Sequence, residues 1–267
     1  MKNKIRISLV HYLNSAPLGW AFLHGPYRDR FEVFPSSPAR CADQLSRGEV
    51  DIGLIPSIEY PLIGNLQVFP GISIASLSEV RSILLVRPLG REAIETVALD
   101  SSSRTSVVLT KILLKEVMGI CPKFVMHPPD LGTMLKKCDA ALLIGDAALA
   151  VDLDAYHTED LARIWTEWQK KPFVFAFWAG RADLPESEGL AEQFRKAKEW
   201  GLNRRSEIAG VFSEKLGLKK EFLENYLFQN IDFDLGPDHI RGLQSYYGLA
   251  AKAGHIPRVE PLRFFAP

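Results

Sequence analysis

The chain has 267 residues, 47% hydrophobic and 24% charged, a profile that excludes a disordered chain and suffices for one large or two modest globular domains. Lysine plus arginine and aspartate plus glutamate each number 32, so the global basic bias of a phosphate-backbone binder is missing and nucleic acid is not an expected partner. Cys41, Cys121 and Cys138 are odd in number and contain no Cys-x-x-Cys, which argues against a disulfide framework and a zinc site and for a reducing compartment.

The first apolar run, residues 5–10, follows basic residues in the manner of an export signal, but Arg6, Ser8, His11 and Asn14 break it. The expectation is a cytoplasmic protein. The apolar stretches 140–144 and 173–179 fall far short of the roughly 20 residues a bilayer-spanning helix needs, so no membrane is expected. Strand-length apolar runs lie at 5–10, 31–34, 51–55, 83–86, 96–99, 123–126, 140–144 and 173–178. Segments of helical period separate them, with Ala39, Ala42 and Leu45 on one face of 38–47 and Val108, Ile112 and Leu114 along 105–117. This alternation predicts an α/β protein with mostly parallel sheets. The last third reads as helices at 187–200, 204–216, 219–228 and 238–253, with a short extended stretch at 231–233. Gly217, Gly236 and Gly254 stand where left-handed terminators belong.

An internal echo suggests how these elements group. Gln44-Leu-Ser-Arg-Gly-Glu-Val-Asp-Ile-Gly-Leu-Ile-Pro-Ser57 and Met134-Leu-Lys-Lys-Cys-Asp-Ala-Ala-Leu-Leu-Ile-Gly-Asp146 share one layout: a helix with a basic end, an aspartate, a buried strand and a polar terminus. Ser57 and Asp146 then sit at the carboxyl ends of strands, where open α/β sheets bind ligands, and two similar lobes would face one cleft.

Gly-x-Gly, a phosphate-loop Gly-Lys, Gly-x-Ser-x-Gly and His-Glu-x-x-His are all missing from the sequence. The acidic stretch Asp152, Asp154, His157, Glu159, Asp160 lacks the glycine and terminal glutamate of a calcium loop. It reads instead as a helix start capped by Thr158, and no metal is expected. Hydroxyl and amide groups collect at strand ends: His11-Tyr12-Leu-Asn14-Ser-Ala-Pro17, Ser57 after the third strand, and Ser82 at the opening of another. The richest run is Asp100-Ser-Ser-Ser-Arg104-Thr105-Ser106. At a helix start, its backbone N–H groups with Thr105, Ser106 and Arg104 would receive a carboxylate or phosphate, although plain capping by one serine would use the same residues. The Asn14 amide can donate to and accept from a substrate, or cap the next helix. Trp165, Trp168, Phe173, Phe175, Phe177 and Trp178 read as core, with Phe173 at the edge of the cleft.

Taken in order, Tyr12-Leu-Asn-Ser-Ala-Pro-Leu18, Gly48-Glu-Val-Asp-Ile-Gly-Leu-Ile-Pro-Ser-Ile-Glu-Tyr60, Val80-Arg-Ser-Ile-Leu-Leu85, Ala98-Leu-Asp-Ser-Ser-Ser-Arg-Thr-Ser106, Asp139-Ala-Ala-Leu-Leu-Ile-Gly-Asp-Ala-Ala148 and Pro172-Phe-Val-Phe-Ala-Phe-Trp178 closely resemble the chorismate dehydratases of the futalosine route to menaquinone. The likeness spans essentially the whole chain. It departs at Gln169-Lys-Lys171, where the family more commonly has Thr-Gly-Leu. The resemblance implies a two-lobed fold like the type II periplasmic binding proteins with a central cleft, residues 1–86 plus 179–267 forming one lobe and 87–178 the other. It implies loss of water from chorismate with no cofactor, in a monomer or weak homodimer. Asn14 would be catalytic, and His11, Tyr12, Ser57, Ser82, Arg104, Thr105, Ser106, Asp146 and Phe173 would bind substrate. Two other readings of the fold are the dehypoxanthinyl futalosine cyclase, which carries a Ser-Pro-Cys-Pro-Asn-Asp-Thr-Phe-like motif in place of Tyr12 to Leu18, and a binding protein for an aromatic carboxylate.

Overall fold

The computed structural model describes residues 4–184, 189–257 and 261–266. β1 (Ile5–Val10) leads through a 3₁₀ turn at Leu13–Ser15 into α1 (Ala16–His24), then β2 (Phe31–Ser36), α2 (Pro38–Ser46) and β3 (Ile52–Pro56). A second 3₁₀ turn, Ser57–Glu59, runs into α3 (Tyr60–Ile63) and β4 (Leu66–Ser76). The next group is β5 (Ile83–Pro88), β6 (Thr96–Asp100), α4 (Arg104–Glu116), β7 (Lys123–His127), α5 (Leu131–Lys137), β8 (Ala140–Ile144), α6 (Gly145–Leu149), β9 (Tyr156–Asp160) and α7 (Leu161–Gln169). β10 (Phe173–Arg181), α8 (Leu190–Leu202), α9 (Arg205–Leu216) and α10 (Lys220–Asn225) follow; α10 runs into a π-helical turn at Tyr226–Asn230 before α11 (Pro237–Lys252).

These strands make two sheets of matching design, ordered β2-β1-β3-β10-β4 and β7-β6-β8-β5-β9. In each, three strands pair in parallel and one runs against its neighbours: β10 against β3 and β4, β5 against β8 and β9. The sheets are therefore mixed rather than mostly parallel. The reason is topological, since β5 and β10 are the first strands after the chain passes between lobes. A chain arriving from the facing lobe enters at the carboxyl ends of the parallel strands and must run the other way. The sequence echo is real at this level, with α2–β3 and α5–β8 equivalent. Asp51 accepts the Arg6 N–H at 2.8 Å and Asp139 accepts the Thr96 N–H at 2.9 Å, each tying its strand to the start of a neighbour.

The pairings also move the expected lobe limits. Residues 83–86 belong to the second sheet and 173–178 to the first, because β5 and β10 hydrogen-bond there. The crossings accordingly fall at 77–82 and 170–172 instead of near 86 and 178. Each contains a left-handed residue that is not glycine, Arg81 with φ 65° and Lys170 with φ 53°. Asp160 fixes the first crossing by accepting the Val80 and Arg81 N–H groups at 3.1 and 2.6 Å. It is also the cap of α7, receiving the Ala162 and Arg163 N–H groups, so Thr158 lies in a strand and the helix starts later than expected.

β4 and β9 were not visible as apolar runs. β4 has Pro70-Gly71 in its middle, where its register against β10 shifts, and the side chains of β9 are mostly polar. Gly217 and Gly254 adopt φ 67° and 76° as expected of helix terminators, whereas Gly236 has φ −92° and precedes α11 instead of ending a helix. The helix expected over 187–200 is α8; Ser187 lies outside the described residues. Trp165, Phe173, Phe177 and Trp178 are fully buried, as core residues.

Lys170 closes α7 in the left-handed region at the position where the resembled family more often has glycine. A side chain there costs about 1 kcal/mol relative to glycine. Lys170→Gly should raise stability by up to that amount in urea unfolding, and a loss of stability would show that other contacts hold this turn.

Candidate active site

The carboxyl ends of β1, β3, β6 and β8 meet between the lobes. The turn after β1 lies on the start of α6: the Leu13 N–H donates to Asp146 Oδ1 at 2.8 Å, and the Tyr12 hydroxyl donates to Ser102 Oγ at 3.2 Å. Ala39 N–H reaches Ser102 O at 3.1 Å, a third bond from lobe to lobe. Gly145 makes this approach feasible. Its φ is 56°, and a Cβ there would stand 2.7 Å from the Tyr12 ring.

Asn14 occupies the centre of that turn. Its Oδ1 is buried and has no hydrogen-bond partner, an arrangement that costs free energy unless something donates to it. Its side chain lies beside the hydroxyl of Tyr226, which is fully buried and donates to Ser82 Oγ at 2.8 Å. Burial pushes the Tyr226 phenol far above its ordinary value, with Ser82 and Asn14 acting in the opposite direction. Tyr226 begins the π-helical turn, a local widening of the helix that commonly accompanies function.

Asp146 is raised above its ordinary 3.8 by burial, opposed by the Leu13 N–H, by Lys215 and by His11. Lys215 Nζ stands 3.8 Å from Asp146 Oδ2 and donates to His11 O at 3.4 Å. His11 itself is exposed, with Nδ1 on Ser36 O at 2.7 Å.

A second cluster joins the other strand ends. Ser57 Oγ donates to Val174 O at 2.8 Å and lies 3.4 Å from Thr105 Oγ1, which accepts the Ile58 N–H at 3.3 Å. Tyr246 and Tyr247 of α11 donate to the carbonyls of Thr105 and Ser57 at 2.9 and 2.5 Å. Phe173 is packed among Trp165, Phe175 and Tyr246 behind this cluster.

Within the hydroxyl-rich run, the capping role falls to Ser103, and Asp100 and Arg104 already have protein partners. Ser103 caps α4 by accepting the Ser106 N–H, and Asp100 Oδ1 accepts from the Ser102 N–H and hydroxyl at 2.8 and 2.6 Å. Arg104 is occupied by Asp43 at 2.7 Å and Glu59 at 3.1 Å, both from the first lobe, so it clamps the lobes together. Asp100 has a buried Oδ2 without a partner, and burial raises its carboxyl above the ordinary value despite the Ser102 bonds. Tyr226, Asp100, Tyr246 and Tyr247 were not among the site residues expected from sequence. Asp100 opened the quoted run and was within reach of that reading; the tyrosines lie on helices with no motif around them. His157 pairs with Glu159 on β9, and among the described residues no three His, Cys, Asp or Glu side chains converge as metal ligands.

Two such sheets meeting at their strand ends define a two-lobed α/β protein of the periplasmic-binding-protein type. The chain belongs to the menaquinone biosynthesis family, whose model matches residues 5–252. Over 258 residues it is 31% identical to the chorismate dehydratase of Thermus thermophilus, an overlap of 90% of this chain and 93% of that protein. Among solved structures, a protein from Archaeoglobus fulgidus superposes with a TM-score of 0.78 at 19% identity, over 95% of this chain and 98% of that one. The periplasmic aliphatic sulphonate-binding protein of Escherichia coli gives 0.66 at 15%, over 100% and 95%. A Candida albicans protein with the generic periplasmic binding protein fold gives 0.61 at 12%, over 97% and 92%. These structural likenesses establish the fold. Among the described residues no helix is long and apolar enough to cross a membrane.

Because burial raises Asp146, the folded chain takes up its proton more readily than the unfolded one, and its contribution is full below pH 3.8 and lost as pH rises through the higher folded value. Asp146→Asn keeps an acceptor for the Leu13 N–H without the buried charge. Measured by urea unfolding, the variant should gain on the parent as pH rises above 4; a constant difference would contradict this.

Proposed function

We propose that this protein is a hydro-lyase that removes water from chorismate to give 3-[(1-carboxyvinyl)oxy]benzoate in menaquinone (vitamin K2) biosynthesis by the futalosine route. It would act in the cytoplasm, as a monomer or weak homodimer, without a cofactor. The observation that carries this reading is the buried, unpartnered Asn14 Oδ1 at the lobe junction, in a chain whose family and 31% identical relative point to this reaction.

In the reaction a proton leaves the ether-bearing ring carbon and hydroxide leaves the adjacent carbon. The C–H electron pair becomes the third double bond of the ring, and proton and hydroxide depart as water. Aromatisation favours the products, so the protein's main task is to hold one reactive conformer. Asn14 suits the leaving group, since its Oδ1 accepts from the substrate hydroxyl while its amide N–H₂ donates to oxygen as the C–O bond breaks. Tyr226 and Ser82 fix the neighbourhood of that amide. Backbone N–H groups and the strand-end hydroxyls of Ser57, Ser82, Thr105 and Ser106 orient the two carboxylates, those of Ser57 and Thr105 by exchanging their present partners.

The base is the substrate's own enolpyruvyl carboxylate. Two features support this: His11 is exposed with its Nδ1 on a carbonyl, and Asp146 Oδ1 is held by the Leu13 N–H. The test is incubation of metal-stripped protein with chorismate, followed by chromatography and mass. The enolpyruvyl benzoate should appear, Asn14→Ala should lose about 10²-fold or more in kcat, and His11→Ala should lose far less. Chorismate returned unchanged beyond its spontaneous decay would contradict the assignment. A loss of several orders of magnitude in kcat with binding intact in His11→Ala, or in Asp146→Asn, which keeps the acceptor for the Leu13 N–H, would contradict the choice of base.

A further inference from the structure

α4 of the second lobe and α11 of the first pack together, and their carboxyl-terminal halves bound a cavity of about 350 Å³. It is separate from the Asn14 site: Lys111, the lining residue of α4 nearest Thr105, stands six positions further along the helix, about 9 Å of rise. Ile112, Ile120, Phe124 and Leu249 give the cavity an apolar lining, while Lys111, Lys115 and Lys252 bring three ammonium groups to it against the single carboxylate of Glu116. Among the described residues none of these lysines enters an ion pair. Lys111 Nζ lies 5.5 Å from the centre of the Phe124 ring, so cation and aromatic wall share one place. His255 also lines the cavity. Burial and the charge of Lys111 hold it below its ordinary value, which leaves a neutral hydrogen-bonding ring beside the ammonium groups.

Lysines near helix ends also offset the helix dipole. That accounts for Lys115 and Lys252, which stand in the last turns of α4 and α11, but not for Lys111, a turn earlier, nor for the concave apolar lining. The helix-end carbonyls are already engaged. Met118 and Ile120 N–H groups bond Leu113 and Leu114 carbonyls at 3.1 and 2.9 Å, and His255 N–H bonds Ala250 O at 2.9 Å.

We propose that this cavity binds a small aromatic monoanion, its flat body against Phe124, Ile112 and Leu249 and its acidic group among Lys111, Lys115 and Lys252. The occupant touches both lobes at once. The same two helices meet again at the strand-end cluster, where the Tyr246 hydroxyl donates to the Thr105 carbonyl.

The probe is 8-anilino-1-naphthalenesulfonate on the full chain, with neutral N-phenyl-1-naphthylamine for comparison. Cys121 supplies a second readout, because it lines the cavity and is exposed, whereas Cys41 and Cys138 are buried and burial pushes the Cys41 thiol up to about 12. The sulfonate should bind at one site and slow alkylation of Cys121 by iodoacetamide severalfold. Its affinity should fall about tenfold or more in K111E/K252E at low ionic strength, and the neutral compound should bind more weakly than the sulfonate. Should charge reversal unfold the protein, as read from its melting temperature, K111Q/K252Q is judged by the same criterion with a smaller loss. Unchanged affinity in the folded variant, equal binding of the neutral compound, or unprotected Cys121 would each overturn the proposal.

Discussion

The Leu13 N–H bound to the Asp146 carboxylate is the contact from which the rest of the site follows. A backbone donor in a turn between lobes must find an acceptor, and a charged oxygen is a strong one. To bring the two within 2.8 Å, the Tyr12 ring has to pass close against residue 145, and only glycine in a left-handed conformation leaves room for it. The same approach carries Asn14 to the Tyr226 hydroxyl and buries its Oδ1. Burial raises Asp146 itself, while the Leu13 N–H and Lys215 act in the opposite direction and support its charged form.

The topology explains why the contact falls there. Each lobe holds parallel strands whose carboxyl ends point into the cleft, and the chain enters each lobe from that end when it crosses over. β5 and β10 therefore run in reverse and place Ser82 and Val174 beside residues that follow β8 and β3. The helices after β10 then reach back over the junction, so that Tyr226, Tyr246 and Tyr247 bond to Ser82, Thr105 and Ser57 from behind. Arg104, Asp43 and Glu59 add an ionic clamp at the same seam. The site is thus assembled from segments far apart in the chain, and neither lobe alone contains it.

This division separates what the sequence discloses from what it conceals. β1, β3, β6 and β8 are continuous apolar runs ending in polar residues, and such a pattern is local, so both the strands and their functional ends could be read directly. The repeated helix–aspartate–strand layout disclosed two lobes for the same reason. Apolar runs report burial but not partners, so the reversed strands escaped notice, and the lobe limits that the resemblance implied set β5 and β10 apart from the sheets they join. Arg104 looked free because its two carboxylates stand 45 and 61 residues away. Tyr226 was silent because a tyrosine on the buried side of a helix is ordinary; only the fold shows its hydroxyl meeting Ser82, 144 residues distant in sequence.

The central claim is that chemistry takes place with the lobes closed on the Leu13–Asp146 contact, and the exchange rate of the Leu13 amide hydrogen measures it most directly. With saturating 3-[(1-carboxyvinyl)oxy]benzoate the amide should be strongly protected, and Asp146→Ala should lose that protection and chorismate turnover together. A Leu13 amide that exchanges freely in the saturated protein while turnover remains complete would contradict the account.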